Sequence, residues 1–503
     1  MSVAFSLRFA TFACLGLVGA ACSGADSTTP SATKTASLRV VGSRTVSDTI
    51  SAQYSVIAVE YTDSTGARKS GTRIRFTLVT DSTRAIDLAS PQARADSIEV
   101  VTDTAGRASA VAIFLSRAGT ARIRANVVGT NLRDSILVTT RPGRPRRIVV
   151  TPYDTALLVN ATVQLSARVF DRQNNVRVDA VSWSSSTGLT IDSRGLARGS
   201  DYARAVVRAT ADGFTDSSYL SVVPQGTIAA VREQTTVGTE RQFEMFNTDG
   251  SNTSQIPITI APSCSAVGLR WSATGDSVLF AGGHCHYLKI FKATFPGAQM
   301  MVAPTIASEY ELWPSFSRDG RFIYFIANPG GQNGEVWRMR SDGSAAQRVG
   351  PAARDFFDLD QYPTESPDGS TILFSSNRKY RRNERPTVQL LNIATGEVRE
   401  SGLEGSAPSW SPQGDRIAFH AVDQYAVANA DGTGVRLLSK SRYSIWPDPP
   451  SWSPDGRWIV TVGVDPKSTA PVYGRIEIIN VQSGLVLPLA WTSRMVFPAW
   501  RPK

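Results

Sequence analysis

The chain of 503 residues carries only three histidines, His284, His286 and His420, and four cysteines. Imidazole and thiol chemistry are therefore confined to a few places. Two of the histidines flank a cysteine in Gly282-Gly283-His284-Cys285-His286. Imidazole and thiolate suit borderline and soft metal ions. On a strand, alternate residues face opposite ways, which puts His284 and His286 on one side and Cys285 on the other. The competing assignment is a Cys264–Cys285 disulfide, which export to an oxidising compartment favours. No metal site is assigned, and His284 and His286 stay as the weaker candidates. A second place is the basic run Asn377-Arg378-Lys379-Tyr380-Arg381-Arg382-Asn383-Glu384-Arg385. Arg378, Lys379, Arg381, Arg382 and Arg385 offer charge to an anionic ligand, and Tyr380 offers a ring to a sugar or base. The alternative is a solvated hairpin tip. Asp355, Asp358 and Asp360 lack the spacing of a calcium loop. No Gly-x-Ser-x-Gly elbow occurs, which disfavours a serine hydrolase. Carboxylates remain available as acid and base. No catalytic residue and no cofactor is assigned.

The elements that would position these residues are written in a recurring phrase. It reads Pro408-Ser409-Trp410-Ser411-Pro412-Gln413-Gly414 and again Pro450-Ser451-Trp452-Ser453-Pro454-Asp455-Gly456. Looser copies start at Leu269, Pro314 and Pro363, and Pro498-Ala499-Trp500 is a truncated one. The period of roughly 42–49 residues is that of a propeller blade. Within each repeat an aromatic strand leads to a Gly turn, two apolar strands, a second turn such as Ser341-Asp342-Gly343, and an edge strand. Glycine takes positive φ in such turns at little cost. Full repeats begin near Val267, Leu312, Tyr362, Ala407 and Pro450. The stretch 227–258 has later strands but no leading one, and Val496–Trp500 supplies it. The reading is a six-bladed propeller over 225–503, closed by the C-terminal strand, which removes the exposed sheet edges. The Trp-Ser-Pro-Asp-Gly signature resembles that of TolB-like β-propellers. TolB itself has an α/β domain before its propeller, where this chain has strand-rich modules. Propellers of this kind also serve peptidases and lyases, so the fold leaves activity open. Glu365 stands where other copies have an aromatic.

Two such modules precede the repeats. In 37–140, Ile74, Phe76 and Leu78 alternate on one face, and Val101 to Ala108 reads as two strands joined by a Gly turn. With Ala118-Gly119-Thr120-Ala121-Arg122-Ile123, this segment resembles the bacterial Ig-like repeats of invasin-type adhesins. Residues 141–147 hold two prolines, a glycine and four arginines and read as a linker. In 148–224, Val163, Leu165, Ala167 and Val169 alternate inward. Val181-Ser182-Trp183-Ser184-Ser185 followed by Asp192-Ser193-Arg194-Gly195-Leu196 is similar to the group-2 bacterial Ig-like domain, with Trp183 as core aromatic. The fold class is therefore all-β, two Ig-like β-sandwiches followed by the propeller.

The N-terminus reads as a targeting segment. Phe9 to Ala21 is too short for a comfortable membrane span. Its end, Val18-Gly19-Ala20-Ala21-Cys22-Ser23, resembles a bacterial lipoprotein signal. That implies residues 1–21 as signal, Cys22 as lipidation site, and 22–36 as a Ser/Thr/Pro-rich tether. Gly19 departs from the larger aliphatic residue of that pattern, and cleavage after Ala21 to a secreted form is the alternative. Ser23 resembles the outer-membrane sorting preference. The formal net charge of +10 favours anionic partners, though charge also serves solubility. The function expected is a non-catalytic lipoprotein of the exported bacterial cell envelope, at the outer membrane and facing periplasm or surface. Its partners would be envelope proteins or anionic glycans. The lipid is the sole membrane contact, and nucleic acid is disfavoured. Two alternatives stand beside it: a propeller enzyme acting on acidic polysaccharide as lyase or hydrolase, and a surface adhesin acting through the Ig-like modules.

Overall fold

A computed structural model describes residues 34–502 except 51–53, 82, 90–93, 233–241, 257, 259–266, 285–286, 296–298, 303–305, 307, 330–333, 353–358, 379–384, 422–423, 439–447, 464–474 and 493. The described residues are almost entirely strand, and no helix among them is long and apolar enough to cross a membrane. The chain divides into two compact units at Gly143/Arg144.

The first unit is a sandwich of two five-stranded sheets. One sheet runs Ser37–Val40, Ser55–Thr62, Arg107–Phe114, Ile86–Ala89, Arg94–Ala95. The other runs Thr45–Thr49, Arg133–Arg141, Gly119–Val127, Arg73–Thr80, Ser97–Val101, with its first pair parallel. Alternation decides which side chains go in: Ala121, Ile123, Ala125 and Val127 are buried while Arg122 is exposed. Ile57, Val59, Leu88 and Ala110 of one sheet meet Ile74, Phe76, Ile123 and Val138 of the other. The Gly turn at 102–106 joins strands of opposite sheets: Ser97–Val101 pairs with Arg73–Thr77, and Arg107–Phe114 with Ser55–Glu60. Asp103 Oδ1 accepts from the amides of Ala105 and Arg107 at 2.8 and 2.9 Å, which drives the reversal. Gly106 has φ +71°, and a Cβ there would lie 2.7 Å from the Tyr61 carbonyl oxygen, so the turn packs directly on the neighbouring strand.

The second unit begins with three smaller sheets: Pro145–Thr151 with Ser166–Asp171 and Val176–Arg177; Asp154–Leu158 with Phe214–Val223, Ala203–Ala211 and Ser182–Ser185; and Thr162–Gln164 with Leu196–Gly199 and Leu189–Ile191. Leu157, Leu165, Val207, Leu220 and Val222 form its core, with half-buried Trp183 packed against it. A different set of its residues, Ala156 and Val223, joins a core built from later strands of the same unit: Ile228, Phe246, Trp458, Val460, Ile476 and Trp500.

The rest of the second unit holds six four-stranded antiparallel sheets among the described residues. The first combines Ser254–Ile256, Gln242–Asn247 and Thr227–Arg232 with the C-terminal Met495–Trp500. Ile228 pairs with Trp500 and Arg232 with Met495. The others lie in order along 267–302, 308–348, 360–404, 406–437 and 451–488. Apolar clusters lie between successive sheets, as where Leu279 and Ile290 of the second meet Ile323 and Phe325 of the third. Leu373 and Val388 of the fourth likewise meet Ile417 and Phe419 of the fifth.

The recurring phrase is a turn lock. In the five full-length copies the Oγ of the serine after the aromatic position accepts the amide five residues on: Ser272 from Ser277, Ser317 from Phe322, Ser366 from Thr371, Ser411 from Arg416 and Ser453 from Trp458, at 2.8–3.1 Å. The same hydroxyls donate to the turn aspartates Asp276, Asp319, Asp368, Asp415 and Asp455 at 2.5–2.8 Å. The turn glycine sits at φ +67° to +75° in every copy. Serine and aspartate here hold a hairpin and are spent on it.

Candidate functional site

The innermost strand of each sheet lines the propeller axis, and a bulge sets what faces it. Register slips at Val267/Arg270, Leu312/Ser315, Gln361/Thr364 and Ser406/Ser409, and opposite Val496–Ala499. Inside each slip one residue takes positive φ: Gly268 (+73°), Trp313 (+49°), Tyr362 (+54°), Ala407 (+53°) and Phe497 (+54°). Four of these are not glycine, so each stores backbone strain of about 1–3 kcal/mol that the surrounding sheet must hold. In the sixth sheet the matching position is Pro449, which cannot take positive φ. The inner strand there shrinks to Ser451–Trp452.

The bulges of neighbouring sheets meet around a small space. Gly268, Arg270, Trp313, Tyr362, Pro363, Pro408 and Pro449 surround a cavity of about 20 Å³. The Trp313 and Tyr362 rings, both lining it, are packed together with centroids 4.5 Å apart. Arg270 stands where the better copies of the phrase have serine, so the degenerate copy was the one readable signal for it. Burial pulls the Arg270 guanidinium down from its ordinary pKa, while the Asp448 carboxylate and the Tyr362 phenol oppose that. Asp448 Oδ2 in turn accepts the Phe497 amide at 3.1 Å, tying the axial cluster to the closing strand. Burial pushes the Tyr362 and Tyr425 phenols up, helped by Asp448, and Glu477 adds to the shift at Tyr425. The Glu477 carboxyl is itself raised by burial. Gly463 makes room for it, since a Cβ there would lie 2.1 Å from Glu477 Cδ. His420 stands edge-on to Tyr425 at 5.4 Å. Burial thus favours the protonated form of the Tyr362 and Tyr425 phenols and of the Glu477 carboxyl alike.

Around this cluster the remaining charges satisfy one another. Lys289 Nζ reaches Glu311 Oε1 at 3.2 Å and the Ser308 carbonyl at 2.7 Å, and burial raises the Glu311 carboxyl. Arg232 pairs with Glu244. Arg378, the first residue of the basic run within reach, is engaged: it forks onto Asp360 at 2.9 and 2.7 Å and donates to the carbonyls of Ala352 and Pro351. Asp360 is fully buried, so Arg378 is not available to a ligand; the same pairing occupies Asp360, the described member of the aspartate trio. Arg385 is exposed. Lys379, Tyr380, Arg381 and Arg382 lie outside the described residues, as do Cys22, Cys264, Cys285 and His286. His284 ends a strand, Ser277–His284. No cluster of three or more metal-ligating side chains is found among the described residues. Glu365 takes the place of the phrase's aromatic by turning to the preceding sheet. Its Oε1 accepts from the Tyr324 hydroxyl at 2.9 Å and its Oε2 from the Arg318 amide at 2.6 Å.

The family described as TolB beta propeller domain matches residues 223–503. An uncharacterized protein of Agrobacterium fabrum, Atu1656, is 26% identical over 208 residues, 39% of this chain and 67% of that protein. Among solved structures, TolB from Acinetobacter baumannii is 16% identical over 64% of this chain and 83% of its own, with a TM-score of 0.46. An oligogalacturonate lyase from Vibrio parahaemolyticus is 10% identical over 66% of this chain and 97% of its own, with a TM-score of 0.34. No activity passes to this chain from likenesses so distant.

Proposed function

The chain belongs to the TolB beta propeller domain family through residues 223–503, and on that footing we propose that it is a non-catalytic cell-envelope protein whose propeller binds envelope proteins or anionic glycans. In this reading the six sheets are six blades closed by Met495–Trp500. The strand modules before them are Ig-like, and a lipid on Cys22 anchors the chain to the outer membrane. The observation that carries the binding reading is the small cavity among the bulges. A cavity of about 20 Å³ holds on the order of one water. A sugar ring needs several times that space and does not fit among the bulge residues, which favours the mouth as the place for a partner. The charged groups nearby favour the same reading, because Lys289–Glu311 and Arg378–Asp360 are neutralised in place.

The test sets binding against turnover. The mature chain is incubated with acidic polysaccharides and new reducing ends or unsaturated products are followed, while the same material is tested for retention on the immobilised chain. Retention of an envelope component without product formation is the expected result. Product formation that disappears in His420→Ala or Glu477→Gln would replace the binding reading with the polysaccharide enzyme.

A further inference from the structure

Away from the axis, on the rim of the fifth and sixth sheets, lies a cleft of about 690 Å³. Its volume is within the roughly 300–1,000 Å³ of small-ligand sites. Arg416, Arg436 and Arg457 line it, with Asn429, Asn480 and Gln482 between them and Tyr202 of the second module at its edge. No carboxylate is among its described lining residues.

Among the described residues only Arg416 of the three arginines has a carboxylate beside it, so their charge faces the cleft largely uncompensated. Arg436 Nη1 donates to the carbonyls of Val481, at 3.2 Å, and Gln482. Arg416 Nη2 donates to the Gly456 carbonyl at 2.9 Å, and its guanidinium lies 5.4 Å over the Trp452 ring. Its carboxylate neighbour, Asp415, sits at 3.4 Å from Nε and is more than half exposed, which screens the pair. Arg457 is exposed, and its guanidinium has no partner among the described residues. Carbonyl anchoring fixes the direction of a guanidinium while leaving N–H groups for a second acceptor.

The walls suit a sugar. Asn480 Oδ1 is occupied by the amides of Gln482 and Ser483 at 3.0 and 2.8 Å, which leaves its NH₂ to donate outward. Tyr202 is 40% exposed, yet its ring is fixed edge-on to buried Trp458 at 4.9 Å and 76°. A rigid, half-exposed ring beside amides and arginines offers a stacking face, hydroxyl partners and anion forks together.

We propose that this rim cleft is a binding site for an acidic saccharide, a sugar carrying a carboxylate or a phosphate, with Arg457 and Arg436 on the acidic group and Tyr202 against the ring. The site is separate from the propeller mouth and does not depend on the mouth having a partner.

Isothermal titration of the mature chain with a glucuronate disaccharide, glucose 6-phosphate, maltose and inorganic phosphate tests it. Binding of at least one acidic sugar is expected, with maltose and phosphate at least tenfold weaker. Whichever acidic sugar wins distinguishes carboxylate from phosphate as the source of charge. Arg457→Gln, at an exposed side chain that leaves the melting temperature unchanged, is expected to weaken that sugar at least tenfold, and Tyr202→Ala severalfold. The proposal is overturned if neither acidic sugar binds, if maltose or phosphate binds as well, or if Arg457→Gln binds like the parent chain.

Discussion

The two strand modules look alike in sequence and differ in what they are packed against. The first, within residues 34–143, closes its apolar surface on itself: Phe76, Ile74 and Val59 are shielded by their own two sheets. The second spends part of its apolar surface elsewhere. Ala156 and Val223 are buried in one cluster with Trp458, Ile478 and Trp500 of the propeller. Ser221 Oγ donates to the Pro488 carbonyl at 2.8 Å inside that seam, and Tyr202 leans on Trp458. Short modules have little core to spare, and sharing one with a larger neighbour is a way to become stable. The first module is thus a self-contained core, whereas the second shares one with the propeller strands and lends Tyr202 to the arginine cleft.

The largest test of this difference compares two core truncations. Trp458→Ala and Phe76→Ala each remove a fully buried aromatic and are expected to cost about 3–5 kcal/mol. Hydrogen exchange should separate them. Trp458→Ala is expected to raise exchange in 203–223 together with 475–480, because one core serves both. Phe76→Ala is expected to act within 55–140 and leave 144–503 as it was. Unchanged protection of 203–223 in Trp458→Ala would break the comparison.

Ser221→Ala probes the same seam more gently. The hydroxyl is buried against Pro488, so its loss is expected to cost about 1 kcal/mol in the urea midpoint of 144–503. Thr210→Ala, at a half-buried residue whose hydroxyl meets that of exposed Thr215, serves as the control within the same module and is expected to change it by less than about 0.5 kcal/mol. Equal effects would mean that the seam is no tighter than the module's surface.

The sharing was not legible in the sequence for a physical reason. Periodicity says which face of a strand is buried, not what covers it. Nothing in the sequence sets Ala156 and Val223 apart from the other apolar residues of 148–224. The repeats were legible because five of them carry the same turn chemistry: a serine that must meet an amide and an aspartate, and a glycine that must take positive φ. What departs from that repeat carried the candidate site, and it was visible only in part. Glu365 stood out as a missing aromatic. Arg270 stood out less, because its copy of the phrase is degenerate throughout. Trp313 and Tyr362 gave no signal, since positive φ at a bulky residue before proline runs against local preference and is imposed by the sheet. The basic run was visible as charge, but charge does not say that Arg378 is already spent on a buried Asp360. The rim cleft was invisible because Arg416, Arg436 and Arg457 are brought together only when two sheets meet.

The smallest expected effect concerns acid. In the second unit, hydrogen bonds from the phrase serines, joined at Asp319 by a stronger one from the Arg321 amide, hold the carboxyls of Asp276, Asp319, Asp368 and Asp415 below their usual pKa. In the first unit, hydrogen bonds from Arg73 and Arg75 do the same for Glu99. A carboxyl whose folded pKa is depressed stabilises the fold above its unfolded pKa, about 3.9 for Asp and 4.3 for Glu. That stabilisation is lost as pH falls through the lowered folded value. Both units should therefore weaken between about pH 4.5 and 2, but for different reasons. The Glu99 pairs are exposed ion pairs, with Nε of Arg73 and Arg75 at 3.0 and 2.9 Å, and salt screens them. The serine–aspartate bonds are short and local and depend little on salt. Urea midpoints across that pH range, in 0.05 and 0.5 M NaCl, are expected to show a salt-sensitive acid slope for the first unit and a salt-insensitive one for the second. Asp368→Asn keeps an acceptor for the Ser366 hydroxyl but no longer titrates, so it should reduce the second unit's slope by one carboxyl's share and leave the first alone. A slope in the second unit that salt abolishes would mean that its acid sensitivity comes from ion pairs such as Arg416–Asp415, and that the turn lock is not what holds those carboxylates down.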